Sequence, residues 1–318
     1  MKRILVTGSS GQIGTELKRL LIKRCGSENV VGGDLKAPPD EFMREGPFER
    51  LDVTCVKDME QVIQKYRIDT VFHLAAILSA VGERKPQLAW KVNMDGLFNV
   101  LELARSHGCA VFVPSSIAAF GPETPKLDTP QDTLQRPTSI YGVTKVAGEL
   151  LCDYYHERFG VDVRGVRYPG IVSNETLPGG GTTDYAVEIF YEAIRKGRYT
   201  CFLKPDTALD MMYMPDALNA AVKIMEAPSD KLIHRNAFNV TAMSITPADL
   251  AQEIRRHIPG FEIQYEVDPM RQAIADSWPD RMDDSAARRE WGWAPEFDLE
   301  TMTADMIQTL TPRLKLKS

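Results

Sequence analysis

ILVTGSSGQIG, residues 4–14, is the stretch whose reading decides the fold. Ile4 to Thr7 read as a short buried strand, and QIGTELKRLLIKR from Gln12 onward carries helical apolar spacing. Between them stand Gly8, Gly11 and Gly14. The first permits a tight turn after the strand, the second lets backbone approach a pyrophosphate, and the third lets the helix pack close to the strand. A phosphate then sits at the helix N-terminus, where free N–H groups point at it. A glycine pattern in this strand–helix setting predicts a dinucleotide site. Asp34 ends the next strand pattern, NVVGGD, 20 residues beyond Gly14. A carboxylate there accepts hydrogen bonds from ribose hydroxyls and repels a 2′-phosphate, so the expected cofactor is NAD rather than NADP. A simple turn aspartate is the competing reading. Asp52 and Val53, after the third strand pattern, meet the adenine in this scheme, and a capping role is the alternative for Asp52.

Outward from this start, strand and helix patterns alternate. VKDMEQVIQKYR is amphipathic, DTVFHLAA is a buried strand, and PQLAWKVNMDGLFNVLELARSHG reads as one long helix. CAVFVPSS, the helix pattern TSIYGVTKVAGELLCDYYHERFG and the strand VDVRGVRYPG follow. Near-continuous apolar strands alternating with helices predict a parallel sheet covered on both faces. After Gly170 the rhythm breaks. The expected architecture is therefore α/β: a Rossmann-type, doubly wound NAD-binding domain over residues 1–170 and a smaller substrate-binding lobe over 171–318. Some segments of that lobe are expected to return to the main domain.

The 318 residues, 43% of them hydrophobic, suit a large globular core. A net charge of −6 without a basic cluster argues against nucleic acid. The five cysteines are scattered and form no C-x-x-C pair or zinc spacing, so no metal is expected and a reducing compartment fits. Val71 to Val81, the longest apolar run, contains His73 and Ser79 and is too short to span a bilayer. No targeting segment precedes the first strand, and the expected location is the cytoplasm.

Chemistry enters with YGVTK. Tyr141 and Lys145 stand four apart and share a helix face. Ser116 ends the strand VFVPSS, at the carboxyl edge where open α/β sheets bind ligands. A phenol is a poor base at neutral pH, and a neighbouring ammonium favours its ionised form. Tyrosinate can take the proton of an alcohol as hydride leaves the carbon, with Ser116 orienting the oxygen. Asn93, in WKVNMDG, either supports a water and proton relay behind Lys145 or is an exposed polar helix residue.

GSSGQIG, HLAA at 73–76, Asn93, Ser116 and YGVTK resemble the extended short-chain dehydrogenases/reductases over most of the chain. That resemblance implies NAD contacts from Gly8, Ser10, Gly11, Gln12, Ile13, Asp34, Asp52, Val53, Leu74, Ala75, Ala76, Asn93, Tyr141, Lys145, Tyr168 and Pro169. Nucleotide-sugar members usually carry an arginine that clamps the substrate diphosphate, where LDMMYMPDA here has Leu209. A diphosphate thus loses its clamp, and a smaller substrate is expected. RYPGIVS, PGGGTTDYAVEIFYEAI and SWPDRMDDSAARREWGW resemble the branch of the family that oxidises L-threonine at its β-carbon. An NAD-retaining nucleotide-sugar 4-epimerase is the alternative.

PGGGTTDYA at 178–186 is then free for the substrate. Backbone N–H groups near Gly179 and Gly180, with Thr182 and Thr183, suit a carboxylate at the start of a helix. A glycine hinge that closes the lobe is the competing reading. The resemblance adds Ser79, beside Ser116 and Tyr141, to the substrate contacts. It also implies a homodimer through the helices at 86–107 and 138–159, although simple packing of both on the sheet fits their patterning equally.

Overall fold

The computed structural model describes residues 1–37, 45–175 and 181–315. Six parallel strands form the main sheet: β1 (Ile4–Thr7), β2 (Val30–Asp34), β3 (Phe48–Arg50), β4 (Thr70–His73), β5 (Ala110–Phe112) and β7 (Val163–Arg164). Their spatial order is β3-β2-β1-β4-β5-β7. The order reverses between β1 and β4, and a ligand crevice opens at the carboxyl ends of those two strands.

Alternation along each strand sends side chains to opposite faces, and both faces are buried. Leu5, Val31, Val71, Val111 and Val163 pack with Met59, Leu101 and Tyr155 from the helices α2 (Val56–Tyr66), α5 (Gly96–His107) and α6 (Ile140–Phe159). Ile4, Val6, Val30, Phe72 and Phe112 face the other way, onto α1 (Gln12–Cys25) and α8 (Met214–Glu226). The second half of the chain therefore supplies a helix to the first sheet. It also supplies a strand, β12 (Phe238–Asn239), which pairs in parallel with β8 (Val166–Tyr168).

Two sequence expectations are refined. VDVRGVRYPG is not one strand. It breaks into β7, β8 and β9 (Gly170–Val172), the last pairing with β11 (Leu209–Tyr213) in a separate sheet. Its neighbour breaks in step, into β5 and β6 (Ser115–Ser116), around Pro114, which has no N–H for a ladder. The long helix expected at 86–107 is also divided. It comprises α4 (Pro86–Trp90), a π-helical turn (Lys91–Asp95) and α5. Just before it lies the short α3 (Ser79–Arg84). In the lobe, α7 (Tyr185–Lys196), α9 (Pro247–His257) and a helix at Leu299–Lys315 close a third core around Phe190, Leu250 and Met306.

The glycine turn is sterically obligatory. Gly8 has φ of 68°, and a Cβ on Gly14 would lie 2.1 Å from the backbone oxygen of Gly8. Because backbone is the obstacle, no rotamer change relieves it. Gly14→Ala is expected to lower stability by about 1–3 kcal/mol and to weaken NAD binding, read from thermal midpoints and from titration with NAD.

Candidate active site

Gly8 turns the chain from β1 directly against the loop after β4. A Cβ at Gly8 would come within 2.7 Å of Ala75 N, so the HLAA segment is in van der Waals contact with the glycine turn. Thr7 and His73, the last residues of β1 and β4, share a hydrogen bond of 2.9 Å between Oγ1 and Nδ1. Burial, with Lys145 second, pushes the His73 imidazole down to about 3. It stays neutral at ordinary pH and acts as a tie across the switch point rather than as a proton carrier.

The turn is built to receive an anion. Gly11 caps α1 without a side-chain bond, and the first helical turn carries no acid. Its positive end is therefore uncompensated by the protein. The buried amide nitrogen of Gln12 has no hydrogen-bond partner. These features fit a dinucleotide pyrophosphate. Asp34 accepts from the backbone N–H of Ser10 at 3.0 Å and of Lys36 at 3.1 Å, which holds its carboxylate beside the turn. Asp52 accepts from the N–H and hydroxyl of Thr54 at 2.9 and 2.8 Å, a local turn just ahead of α2. Val53 is buried, with its carbonyl held by Asn99 at 3.0 Å.

The second cluster depends on Gly142. A Cβ there would sit 2.2 Å from the Ala118 oxygen and 2.4 Å from Pro137 Cβ. Glycine at this place lets the start of α6 press onto the turn after Ser116. Ser139 caps that helix, its hydroxyl accepting from the Gly142 N–H at 3.1 Å. Tyr141 follows in the first turn. Lys145 Nζ donates to the Pro114 carbonyl at 2.6 Å and lies 5.4 Å from the Tyr141 ring centre. Ser116 Oγ accepts from Ala118 N at 3.2 Å.

Asn93 resolves one open alternative. It is buried in the π-helical turn, not exposed. Its amide oxygen accepts from the Ile77 N–H at 2.8 Å. Its nitrogen donates to the Ile77 carbonyl at 3.1 Å and to the Thr144 hydroxyl at 3.0 Å. It thereby clamps the loop after β4 to α6, and with Lys145 and Thr144 it lines a small internal cavity. The π turn is the local device that re-aims a helical side chain.

The two clusters meet in one cleft of about 250 Å³. Gly8, Gly11, Gln12, Ile13, Leu74 and Ala76 line it together with Ser116, Tyr141 and Lys145. Ser79, Tyr168, Pro169, Thr182 and Thr183 also face it. The Tyr168 hydroxyl is held elsewhere, donating to the Ala217 carbonyl at 2.6 Å. Thr182 is buried and its hydroxyl has no partner. The Gly181 N–H is taken up by Asp184 Oδ2 at 2.7 Å. Gly179 and Gly180 lie outside the described residues. Trp278 and Asp184 line the cleft without having been singled out by the sequence reading. Asp184 sits inside the quoted glycine-threonine segment, so its position was the available signal. Trp278 arrives from the far end of the chain, inside the SWPDRMDDS segment that carries the family resemblance.

The description "NAD dependent epimerase/dehydratase family" matches residues 4–241. The chain belongs to this family. Its cofactor is accordingly NAD. Among epimerase/dehydratase relatives, an uncharacterized member from Staphylococcus haemolyticus is 54% identical over 98% of each chain. An L-threonine dehydrogenase structure from Clostridium difficile is 54% identical, covers 98% of each chain and superposes with a TM-score of 0.97. The holo form of an L-threonine dehydrogenase from Cupriavidus necator is 52% identical, with TM-score 0.94 over 97% of this chain and 99% of its own. A UDP-glucose 4-epimerase from Thermotoga maritima, 23% identical with TM-score 0.84 over 99% of each chain, shares the fold.

Behind the cleft, one buried ion pair holds β6, β8 and α6 together. Arg167 donates to Glu149 through Nε at 3.0 Å and Nη2 at 2.8 Å, and Ser115 donates to the same carboxylate. Both charged side chains are less than 8% exposed, 7% and 6%. Arg167→Met would leave Glu149 charged and unpaired, and is expected to cost about 3–5 kcal/mol. Pairing it with Glu149→Leu should recover most of that loss in denaturant unfolding.

Proposed function

We propose that this protein oxidises the β-hydroxyl of L-threonine to 2-amino-3-ketobutyrate. NAD, when bound, supplies the hydride acceptor. The observation that carries this reading is the cleft itself: a phenol, an ammonium and a hydroxyl line it beside the dinucleotide turn, and no arginine stands among its described lining residues. Leu209 is fully buried in β11, and among the described lining residues Lys145 is the only cation. A nucleotide-sugar substrate would need more positive charge than that. The resemblance to L-threonine dehydrogenases at 54% identity over nearly the whole chain supports the same choice.

In this reading Ser116 orients the substrate hydroxyl, and Tyr141 Oη takes its proton as the carbon loses hydride. Lys145, anchored on the Pro114 carbonyl, holds its ammonium 5.4 Å from the centre of the Tyr141 ring, beside the group proposed as base. Asn93 supports the loop and the cavity through which that proton leaves. Gly8, Ser10, Gly11, Gln12 and Ile13 hold the cofactor phosphates, Asp34 its ribose, Asp52 and Val53 its adenine. Leu74, Ala75, Ala76, Tyr168 and Pro169 wall the nicotinamide end. Ser79, Thr182 and Thr183, with Gly179 and Gly180 of the preceding loop, take the polar end of the substrate. The unpartnered Thr182 hydroxyl supports that assignment. We also read the chain as a cytoplasmic homodimer. No helix among the described residues is long and apolar enough to cross a membrane. Trp90, Phe98, Leu150 and Tyr154, on the helices expected to pair, are exposed, Leu150 to 64%.

The deciding assay is NADH accumulation from L-threonine and NAD under steady-state turnover. An epimerase that retains its cofactor would accumulate none. Tyr141→Phe is expected to lower kcat by about 10²–10⁴-fold, the scale of a positioned general base, with NAD affinity retained. Near-normal turnover in that variant would remove Tyr141 from its role. Asp34→Ala should reduce the preference for NAD over NADP by about tenfold or more, equivalent to about 1.4 kcal/mol. Parallel kcat/KM measurements with the two cofactors check this, and an unchanged ratio would return Asp34 to a purely local turn role.

A further inference from the structure

The carbon that reacts in L-threonine carries four groups. In the reading above its hydroxyl goes to Ser116 and Tyr141, its hydrogen to the cofactor site, and its Cα toward Thr182 and Thr183. The methyl group takes the one direction left, and an apolar wall there decides how long the side chain can be. Among the described residues lining the cleft, and apart from those assigned to the cofactor, the large apolar side chains are Leu78, Ile117, Ile171 and Trp278. Leu78 is exposed. Ile171 packs, as Ile13 and Leu74 do, on the core beneath α1. Ile117 and Trp278 are both buried, and both belong to the core of the lobe, against which Tyr141 packs.

We propose that Trp278, backed by Ile117, is the wall that receives the substrate's methyl group and limits the side chain to the length of threonine's. This rests on the reading of the protein as an L-threonine oxidoreductase and adds to it the residue that measures the side chain. A wall of this kind must be rigid, and the segment that carries Trp278 is pinned on both sides of it. Lys126 Nζ donates to the Asp276 carbonyl at 2.7 Å. The N–H groups of Asp280 and Arg281 donate to the Lys126 carbonyl at 2.9 and 3.1 Å. Arg281 grips Asp128 through Nε at 2.7 Å and Nη2 at 2.9 Å. Lys126 and Asp128 lie on the chain that continues from Ser116 and Ile117, so the wall and the hydroxyl-orienting serine are fixed to one segment. An indole held in this way cannot swing aside, and one methylene too many meets close-packed core.

The test is a side-chain series: L-serine, L-threonine and 2-amino-3-hydroxypentanoate of the same configuration, with hydrogen, methyl and ethyl on the reacting carbon. The wild-type enzyme is expected to favour L-threonine over each of the others in kcat/KM by about tenfold or more, the scale of one methylene in an apolar pocket. Trp278→Leu, which opens the wall, should raise the ratio of the ethyl substrate to L-threonine by at least about tenfold, and Trp278→Phe should fall between. The ratio is the informative quantity, because a merely structural defect lowers all three substrates together and leaves it unchanged. An unchanged ratio in Trp278→Leu overturns the assignment while NADH formation from L-threonine leaves the functional reading standing. A wild type that uses the ethyl substrate as well as L-threonine overturns it without any variant, including the case in which the variants do not fold. A wild type that reduces NAD with none of the three overturns the functional reading itself, and the wall with it.

Discussion

The contact on which the rest depends is backbone against backbone at the switch point of the main sheet. Gly14 and Gly8 approach so closely that a single methyl carbon would overlap the Gly8 oxygen, and Gly8 in turn touches the loop after β4. This brings a helix start, two strand ends and the HLAA segment within one small volume. The dinucleotide turn, the Thr7–His73 tie and one wall of the cleft all follow from it. Side chains could not substitute for this arrangement, because any Cβ in these positions occupies the space that the fold uses.

The chemical cluster is assembled by a second close approach of the same kind. Gly142 lets α6 start against the turn after Ser116, so a serine, a tyrosine and a lysine from two elements share one wall. The supports around it are polar and buried: Asn93 on Ile77 and Thr144, Lys145 on Pro114, Arg167 on Glu149. Buried polar groups that are fully partnered hold a geometry firmly, since each alternative arrangement would strand one of them. The two polar atoms near the cleft that lack partners, on Gln12 and Thr182, stand where the cofactor and the substrate are proposed to bind.

The cofactor helix also reaches the substrate side. Glu16 on α1 accepts from the Ser173 hydroxyl at 2.6 Å, and burial raises its carboxyl to about 7. Arg19 and Arg313 both contact Glu175. The segment leading toward the glycine-threonine loop is therefore tied to the dinucleotide end and to the last helix at once. The lobe is joined to the main sheet by α8 and β12 as well, through apolar packing and strand pairing.

Much of this was legible in the chain itself. Strand-turn-helix order with glycines at 8, 11 and 14 specified the dinucleotide turn, because that turn is made by consecutive residues under local steric limits. YGVTK specified a shared helix face for the same reason. Other features lay beyond sequence reading. Helical spacing could not reveal the π turn that aims Asn93 inward, nor the register break that divides β5 from β6 and β7 from β8, since both arise from what packs against those segments. It could not bring Trp278 to the cleft or decide whether Asn93 was exposed. It also left Asp184 as one more residue of a polar loop. Local rules operate within a turn or two of chain, whereas a cleft is formed by residues far apart in sequence, so the identity of the turn was written in the sequence, and the composition of the cleft was decided only by tertiary contact.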